Sequence, residues 1–379
     1  MTTIYLIRHG QAEGNLYRRC HSWHNGLLTL KGREQVKALE KRFEGVHFDA
    51  VYSSDLYRAM STAGAVYRPR GLTLRIDPGL REIGAGIWED VPWGQLLHDH
   101  RESLTAFLGC DDRWQIEGCE TFPQVRRRMD QSIRHIAAAH PDQTVAVVSH
   151  GCAIRCGLSV WLSTTTDQVP LPDNTGVAKL EVEGGRVHVA YYNDNSHLGP
   201  EAALPKASVS YGIPGMERNA LRFSPLSLPQ ERELYLSARQ EGWQASHGTM
   251  DGFDGEKFLA AAEKNSAQDP GCLLTARLGD AFVGILQMDW EQDKTQRAGR
   301  ISFLYIAPEY RCHGLGVQLL GQAVSVYRAM GRQFLRLRCA PENERAKKFY
   351  HTHGFCKIGE EPGGIGHLDT MEKYIGLEL

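Results

Sequence analysis

The sequence predicts an α/β protein built from two unrelated α/β domains, and three observations lead there. The chain has 379 residues, too many for one ordinary core when single domains cluster near ~100 to 200 residues. Its first half alternates short apolar runs with helix-compatible stretches, the rhythm of a sheet with helices on both faces. Residues 199–216 carry Gly199, Pro200, Pro205, Pro214 and Gly215 without sustained periodicity, and so read as a linker. The expected organisation is a domain over 1–198, a linker over 199–216 and a second domain over 217–379.

In the first domain Ile4 to Ile7, Ala50 to Tyr52 and Val145 to Val148 read as buried strands, each followed by a helical stretch. Val177 to Val182 and Val187 to Tyr192 read as a strand pair joined by the turn Glu183-Gly184-Gly185-Arg186. Beyond the linker, Leu221 to Leu226 reads as a strand, Gln230 to Trp243 as a helix, and Cys272 to Asp289 as a strand pair turning at Gly279 and Asp280. Ile301 to Ile306 is a strand, Leu315 to Met330 a helix, Phe334 to Cys339 a strand and Glu344 to His353 a helix. Strands and helices mixed in this way make the second half a mixed α/β fold.

Composition narrows the function classes. Hydrophobic residues make up 42% and charged residues 23% of the chain, and no stretch approaches the ~20 apolar residues of a membrane span. A net charge of −2 gives no broad attraction for nucleic acid, so anion recognition has to come from local Arg and Lys clusters. Met1 to Arg8 run directly into a strand without a signal-peptide pattern, and the default location is cytoplasmic. Nine cysteines, scattered and without CxxC pairs, suggest reduced thiols. His21 and His24 near Cys20 lack a partner cluster in sequence, so no metal site is expected.

Three reactive-looking segments each begin where an apolar strand ends: Arg8-His9-Gly10, Ser53-Ser54-Asp55 with Arg58, and Ser149-His150-Gly151. In open α/β sheets ligands bind beyond the carboxyl ends of the strands, so these segments can converge. The chemistry they suit is phosphoryl transfer. Two guanidiniums, Arg8 and Arg58, bind a phosphate bidentately and stabilise charge on its equatorial oxygens. A neutral imidazole at His9 can attack phosphorus and form a labile N–P bond. His150 adds a contact to the phosphoryl oxygens, and Glu82 is the candidate proton donor to the leaving oxygen.

These segments belong to a longer set: Ile7-Arg8-His9-Gly10-Gln11-Ala12-Glu13, Asn15, Leu28-Thr29-Leu30-Lys31-Gly32, Ser53-Ser54-Asp55-Leu56-Tyr57-Arg58-Ala59, Leu80-Arg81-Glu82-Ile83 with Gly86 and Trp88-Glu89, and Val148-Ser149-His150-Gly151. With these blocks in order, residues 1–198 resemble the histidine phosphatase, or phosphoglycerate mutase-like, superfamily. The resemblance implies a three-layer α/β/α fold, a phosphate pocket of Arg8, His9, Arg58 and His150, a supporting contact from Asn15, and Glu82 as proton donor. The block around Glu82 resembles the phosphatase branch, and the proline-rich mutase insertion is missing. Residues 90 to 122, with Trp93, Phe107, Trp114 and Phe122, occupy the family's variable substrate-facing segment; their aromatics either stack on a leaving group or simply pack.

In the second domain the strand Ile301 to Ile306 leads through Pro308 into Arg311-Cys312-His313-Gly314-Leu315-Gly316 and a helix. Glycines let the backbone approach an anion, and N–H groups at a helix start favour negative charge, an arrangement suited to pyrophosphate. Downstream, Pro341-Glu342-Asn343 opens a helix carrying Ala346, Phe349 and Tyr350 and ending at Gly354-Phe355. Together these segments resemble the GNAT superfamily of N-acetyltransferases over residues 217–379. The resemblance implies acetyl-CoA as co-substrate. Its pantetheine arm would lie along the backbone of Leu304, Tyr305 and Ile306, and its pyrophosphate on residues 311–316. Asn343 would contact the cofactor and Tyr350 would protonate the departing thiolate; the general base stays open.

The expected protein is a two-activity enzyme acting on a small phosphomonoester and on an amine acceptor, either a small molecule or a protein N-terminus or lysine. The runner-up is a phosphoglycerate-mutase-type phosphotransferase with a non-catalytic, acetyl-CoA-sensing second module.

Overall fold

The computed structural model describes residues 1–199 and 212–377. It separates into two compact units, one of Met1–Val91 and Asp99–Ile213, the other of Pro92–His98 and Pro214–Leu379. The short segment Pro92–His98 thus groups with the second unit, although the sequence reading assigned it to the first. Most of the expected linker, residues 200–211, lies outside the described residues.

The first unit opens with β1 (Thr2–Arg8), α1 (Glu13–Tyr17), β2 (Arg19–Cys20), α2 (Leu30–Arg42), β3 (Ala50–Ser53), α3 (Tyr57–Arg70) and β4 (Leu74–Ile76). After β5 (Val91–Pro92) and α4 (Trp93–Asp99), the latter lying almost wholly in the Pro92–His98 segment of the second unit, come α5 (Arg101–Leu108), α6 (Phe122–Ala139), β6 (Thr144–Ser149), α7 (Gly151–Trp161), β7 (Val177–Glu183) and β8 (Arg186–Asp194). Its six-stranded sheet has the order β4-β3-β6-β1-β7-β8. The first four strands run parallel, and β7 and β8 are added antiparallel.

Both faces of this sheet are covered. On β1, Ile7 joins a buried cluster with Leu39 and Phe43 of the α2 region and Ala59, Ala63 and Val66 of α3. Ile4 and Leu6 point the other way and are equally buried, beneath α6 and α7. This two-sided burial is why β1, β3 and β6 read as unbroken apolar runs instead of alternating ones. Helix starts follow local chemistry: the Thr29 hydroxyl accepts from Gly32 N at 2.9 Å, and Thr121 forms a capping box with Gln124 on α6. Gly32 is required by close approach, since a Cβ there would lie 2.0 Å from the Gln11 carbonyl oxygen.

The second unit contains α8 (Ile213–Asn219), β9 (Arg222–Pro225), α9 (Leu228–His247), α10 (Gly255–Gln268), β10 (Leu273–Leu278), β11 (Ala281–Asp289), β12 (Ala298–Ile306), α11 (Gly316–Ala329), β13 (Phe334–Cys339), α12 (Glu344–Thr352), β14 (Cys356–Pro362) and β15 (His367–Tyr374). Helix α8 begins inside the stretch read as linker. Seven strands form one sheet, β14-β15-β13-β12-β11-β10-β9. Neighbours are antiparallel except the central pair β12 and β13, which runs parallel across the α11 crossover.

That central pair does not stay together. Pairing extends from Ala298↔Phe334 to Ile301↔Leu337, after which β12 continues against β11 and β13 against β15. The cause is a bulge: Gln287 pairs with Phe303 and Met288 with Ile301, leaving Ser302 unmatched. The extra residue inverts the side-chain parity. Gly299 faces Tyr327 of α11, whereas Phe303 and Tyr305 face Gly242 of α9, a switch of face between odd-numbered residues that only an inserted residue allows. A gap opens between β12 and β13 on the carboxyl side of the bulge. No helix among the described residues is long and apolar enough to cross a membrane.

Candidate active sites

In the first unit the ends of three adjacent parallel strands, β3, β6 and β1, bring Ser54, His150 and His9 together. The His9 and His150 rings lie 5.1 Å apart, and both residues are buried, as are Arg8 and Arg58. His9 Nδ1 lies 2.7 Å from the Gly10 carbonyl oxygen. A carbonyl only accepts, so Nδ1 carries the proton and Nε2 keeps its lone pair. The Asn174 amide donates to the His9 carbonyl at 2.9 Å and fixes the backbone behind the ring. Burial, reinforced by Arg58 and Arg8, pushes the His9 pKa well below the ordinary histidine value and keeps the imidazole neutral.

His150 is the N-cap residue of α7. Its Nε2 lies 2.7 Å from Ser54 Oγ, and burial, then Arg58, lowers its pKa well below normal. Arg58 donates to the Ser22 carbonyl and, at 3.0 Å, to that of His24; burial lowers its pKa to about 10. Arg8 donates to the Pro172 carbonyl. Two buried donor or acceptor atoms here, Arg8 Nε and His150 Nδ1, lack a hydrogen-bond partner among the described residues. Orphaned buried polar atoms of this kind fit a site that receives oxyanion oxygens.

Glu82 stands at the start of α7, its carboxylate accepting from Cys152 N at 3.1 Å and Ala153 N at 2.8 Å. It therefore sits next to His150, whose backbone begins the same helix. Asn15, which the resemblance made a phosphate contact, uses Oδ1 to accept from Ala12 N at 3.0 Å and completes the capping box of α1. The aromatics of residues 90–122 divide. Trp114 and Phe122 are buried and, with Phe107, pack around Trp88 at ring separations of 4.8 to 6.0 Å. They are core.

The sequence reading missed three contributors. Trp23 is 40% exposed, donates its indole N–H to the Glu82 carbonyl at 2.7 Å and lies under the Arg81 guanidinium at 5.1 Å. It is an apolar surface beside the candidate acid. Glu89 accepts from Trp23 N, His24 N and Ala85 N, thereby shaping the loop on which Arg58 is anchored. Asp90, in contact with Arg19 at 2.7 Å and His21 at 3.3 Å, is the partner that His21 and His24 lacked in sequence. The ligand atoms of His21, His24 and Asp90 lie within 4.8 Å of one another, a set that can hold a cation. The Arg19 guanidinium on the same carboxylate already balances its charge, and although burial acts in the opposite sense, His21 and Arg19 hold the Asp90 carboxyl far below the usual range.

In the second unit the gap after Ser302 leaves the backbone of Leu304, Tyr305 and Ile306 unpaired on the β13 side. The loop that follows has Cys312 at φ 66° and Gly314 at φ 71°, and among the described residues the N–H groups of Cys312 to Gly316 meet no acceptor. Leu315 is the N-cap of α11 and Gly316 its first residue. Unsatisfied donors at a helix start beside an open strand edge fit a pyrophosphate followed by an amide-bearing arm. Arg311 itself is held by Glu241 and by the Ile306 carbonyl at 2.8 Å. His313 bonds the Arg311 carbonyl at 2.8 Å. Arg345 of α12, overlooked in sequence, reaches Cys312 Sγ at 3.4 Å and brings a guanidinium over the loop.

Asn343 caps α12, accepting from Ala346 N at 3.0 Å, and donates to Ser246 Oγ at 3.3 Å. Tyr350 is buried among Phe349 and Phe355, and burial pushes its phenol pKa up, so its hydroxyl keeps a proton to donate.

The first unit is a doubly covered, mainly parallel sheet with a histidine-arginine pocket at its strand ends; the second is a split sheet with a strand-loop-helix anion site. The chain belongs to the histidine phosphatase superfamily (branch 1), whose family model matches residues 4–195, and it also carries an acetyltransferase (GNAT) family domain, matched over residues 230–355. Two relatives cover about half of the chain or less. Phosphoserine phosphatase 1 of Hydrogenobacter thermophilus is 24% identical over 201 residues, 52% of this chain and 95% of that protein. A probable phosphoglycerate mutase, GpmB, of Yersinia pestis is 29% identical over 162 residues, 43% of this chain and 75% of that one. Among solved structures, Bacillus stearothermophilus YhfR superposes with a TM-score of 0.51 at 32% identity, covering 52% of this chain and 99% of its own.

Proposed function

We propose that the protein is a bifunctional enzyme whose first domain hydrolyses a phosphomonoester through a phosphohistidine at His9, and whose second domain moves the acetyl group of acetyl-CoA to an amine. The observation that carries the first half is the His9 tautomer: Nδ1–H is committed to Gly10 O at 2.7 Å, which leaves a neutral Nε2 lone pair among Arg8, Arg58 and His150. Nε2 attacks phosphorus, the P–O bond to the leaving group breaks, and Glu82 supplies the proton to the departing oxygen. Water then attacks the N–P bond, with Glu82 taking its proton, and inorganic phosphate leaves. The guanidiniums stabilise charge on the transferring group throughout.

For the second half, the open edge of β12 and the donor-rich loop at Cys312 to Gly316 support an acetyl-CoA site. The neutral acceptor nitrogen attacks the thioester carbonyl, the C–S bond breaks, Tyr350 protonates the thiolate, and the proton that the nitrogen sheds passes to water, from which Tyr350 is reprotonated.

Rapid quench with a 32P-labelled phosphomonoester tests the first reading. Acid-labile, base-stable label should appear on the wild type, be absent from His9→Ala, and phosphate release should fall by about 10⁴-fold in that variant. Undiminished phosphoenzyme in His9→Ala refutes it. The name of the Yersinia relative favours a second reading, phosphoryl return to the substrate; isomerised phosphoglycerate in place of free phosphate in the same assay would select it.

A further inference from the structure

Arg239 of α9 is a buried cation without a counter-ion among the described residues. Its side chain is 8% exposed, and it lies over the Phe303 ring at 3.9 Å and the Phe258 ring at 4.6 Å. Its hydrogen bonds go to two neutral oxygens, Tyr235 Oη at 2.9 Å and Gln287 Oε1 at 2.5 Å, and Nη1 carries none among the described residues. Among the described residues no carboxylate acts on it; burial, with the neighbouring Arg338 guanidinium, lowers its pKa. A cation removed from water without an opposite charge is costly, and a second guanidinium beside it adds repulsion.

Their place in the fold gives them a use. Phe303 is the first residue of β12 past the bulge, and Arg338 is the first of β13 past the last β12–β13 pair. Both arginines therefore stand at the mouth of the gap, on the α9 face. Arg338 is exposed and makes no hydrogen bond or ion pair among the described residues. The acid within its electrostatic reach, Glu361, is already held by Arg300 at 2.7 Å and by Thr370 at 2.9 Å.

We infer that the acceptor amine of the second domain bears an anionic group, a carboxylate or a phosphate, which Arg239 and Arg338 hold at the mouth of the β12–β13 gap. This rests on the acetyl-transfer reading above. Paired guanidiniums bind planar or tetrahedral oxyanions bidentately, and an anion anchored there sets its amine at the split in the sheet.

The test uses the full chain with acetyl-CoA and matched acceptors: amino acids, their primary amides, and the corresponding aminophosphonates, with thiol release as readout. The anionic member of each set should be favoured by about 10- to 100-fold in kcat/KM. Arg338→Gln, at an exposed position, should remove most of that preference and leave the acetyl-CoA Kd unchanged. Acid-over-phosphonate or phosphonate-over-acid order identifies the anion. Amides used as well as acids overturn the inference and leave acetyl transfer standing. A turnover-independent arm, calorimetric binding of N-acetyl amino acids against N-acetyl amino acid amides in the presence of CoA, separates the two ideas. Arg338-dependent binding of the acids without any transfer upholds the anion site and refutes acetyl transfer, while no preference for the acids in binding overturns the site.

Discussion

Lowering the pH from 7.5 to 5.5 should destabilise the first domain by about 4 kcal/mol, and the pocket that makes His9 reactive is the reason. His9, His150 and His21 are all buried. The first two have pKa values pushed well below normal, and His21 is lowered to about 4, by burial first in each case. In the folded state they stay neutral across this window, whereas in the unfolded chain each takes up a proton near pH 6.5. Because the folded pKa is the lower one, stability is complete above the unfolded value and is lost as pH falls towards the folded value. Each histidine then contributes slightly more than about 1 kcal/mol between pH 7.5 and 5.5, and three together give about 4 kcal/mol. Ordinary carboxylates titrate below the window. His197, also lowered to about 4 by burial, acts in the same direction, and Glu89, raised by burial, offsets part of the total. Amide hydrogen exchange of peptides spanning β1 and β6, corrected for intrinsic rates, reads the effect directly: protection should fall by about a thousandfold. A fall of less than about tenfold would refute the claim that these imidazoles are held neutral.

Other consequences are open to measurement. Gly32→Ala drives a methyl group into the Gln11 carbonyl and should cost at least ~2 kcal/mol of first-domain stability by chemical denaturation, with phosphatase activity lost alongside; wild-type stability would mean the approach relaxes freely. Tyr350→Phe should slow acetyl transfer by about 10²-fold while leaving the acetyl-CoA Kd in place, since a general acid acts on the chemical step; equal losses in both would make the residue structural. Glu241→Gln should release Arg311 towards the pyrophosphate and tighten acetyl-CoA binding several-fold by calorimetry; weaker binding would show that the ion pair shapes the loop.

Much of this architecture was legible in the chain because its central strands are buried on both faces, leaving Ile4 to Ile7 and Val145 to Val148 as unbroken apolar runs. The reactive residues were legible because they follow those strands at once. Elements without such a signature escaped. Strand β14 lies at the sheet edge and is almost wholly exposed, so it carries no alternation to read. Helix α10 buries little beyond Leu259 and Ala262, and its apolar stripe is correspondingly thin. Features made by distant contacts left no local trace. Trp23 reads as a loop aromatic until Glu82 is beside it, Asp90 gives His21 and His24 a partner from far along the chain, and Arg239 looks like any helical arginine until its missing counter-charge is seen. The tautomer of His9 is likewise set by the Gly10 carbonyl, whose direction sequence does not encode.

The unmatched Ser302 has one more consequence. Because the residue is surplus to the ladder, removing it would return Ile301, Phe303 and Leu304 to regular alternation with every side chain still on its present face. The strands could then zip together through the region where they now part. A single-codon deletion would thus seal the second domain without altering any residue of the first, and His9→Ala would do the converse. Two alleles of one gene would let a cell report which half of the chain it needs, and whether it needs both in the same molecule.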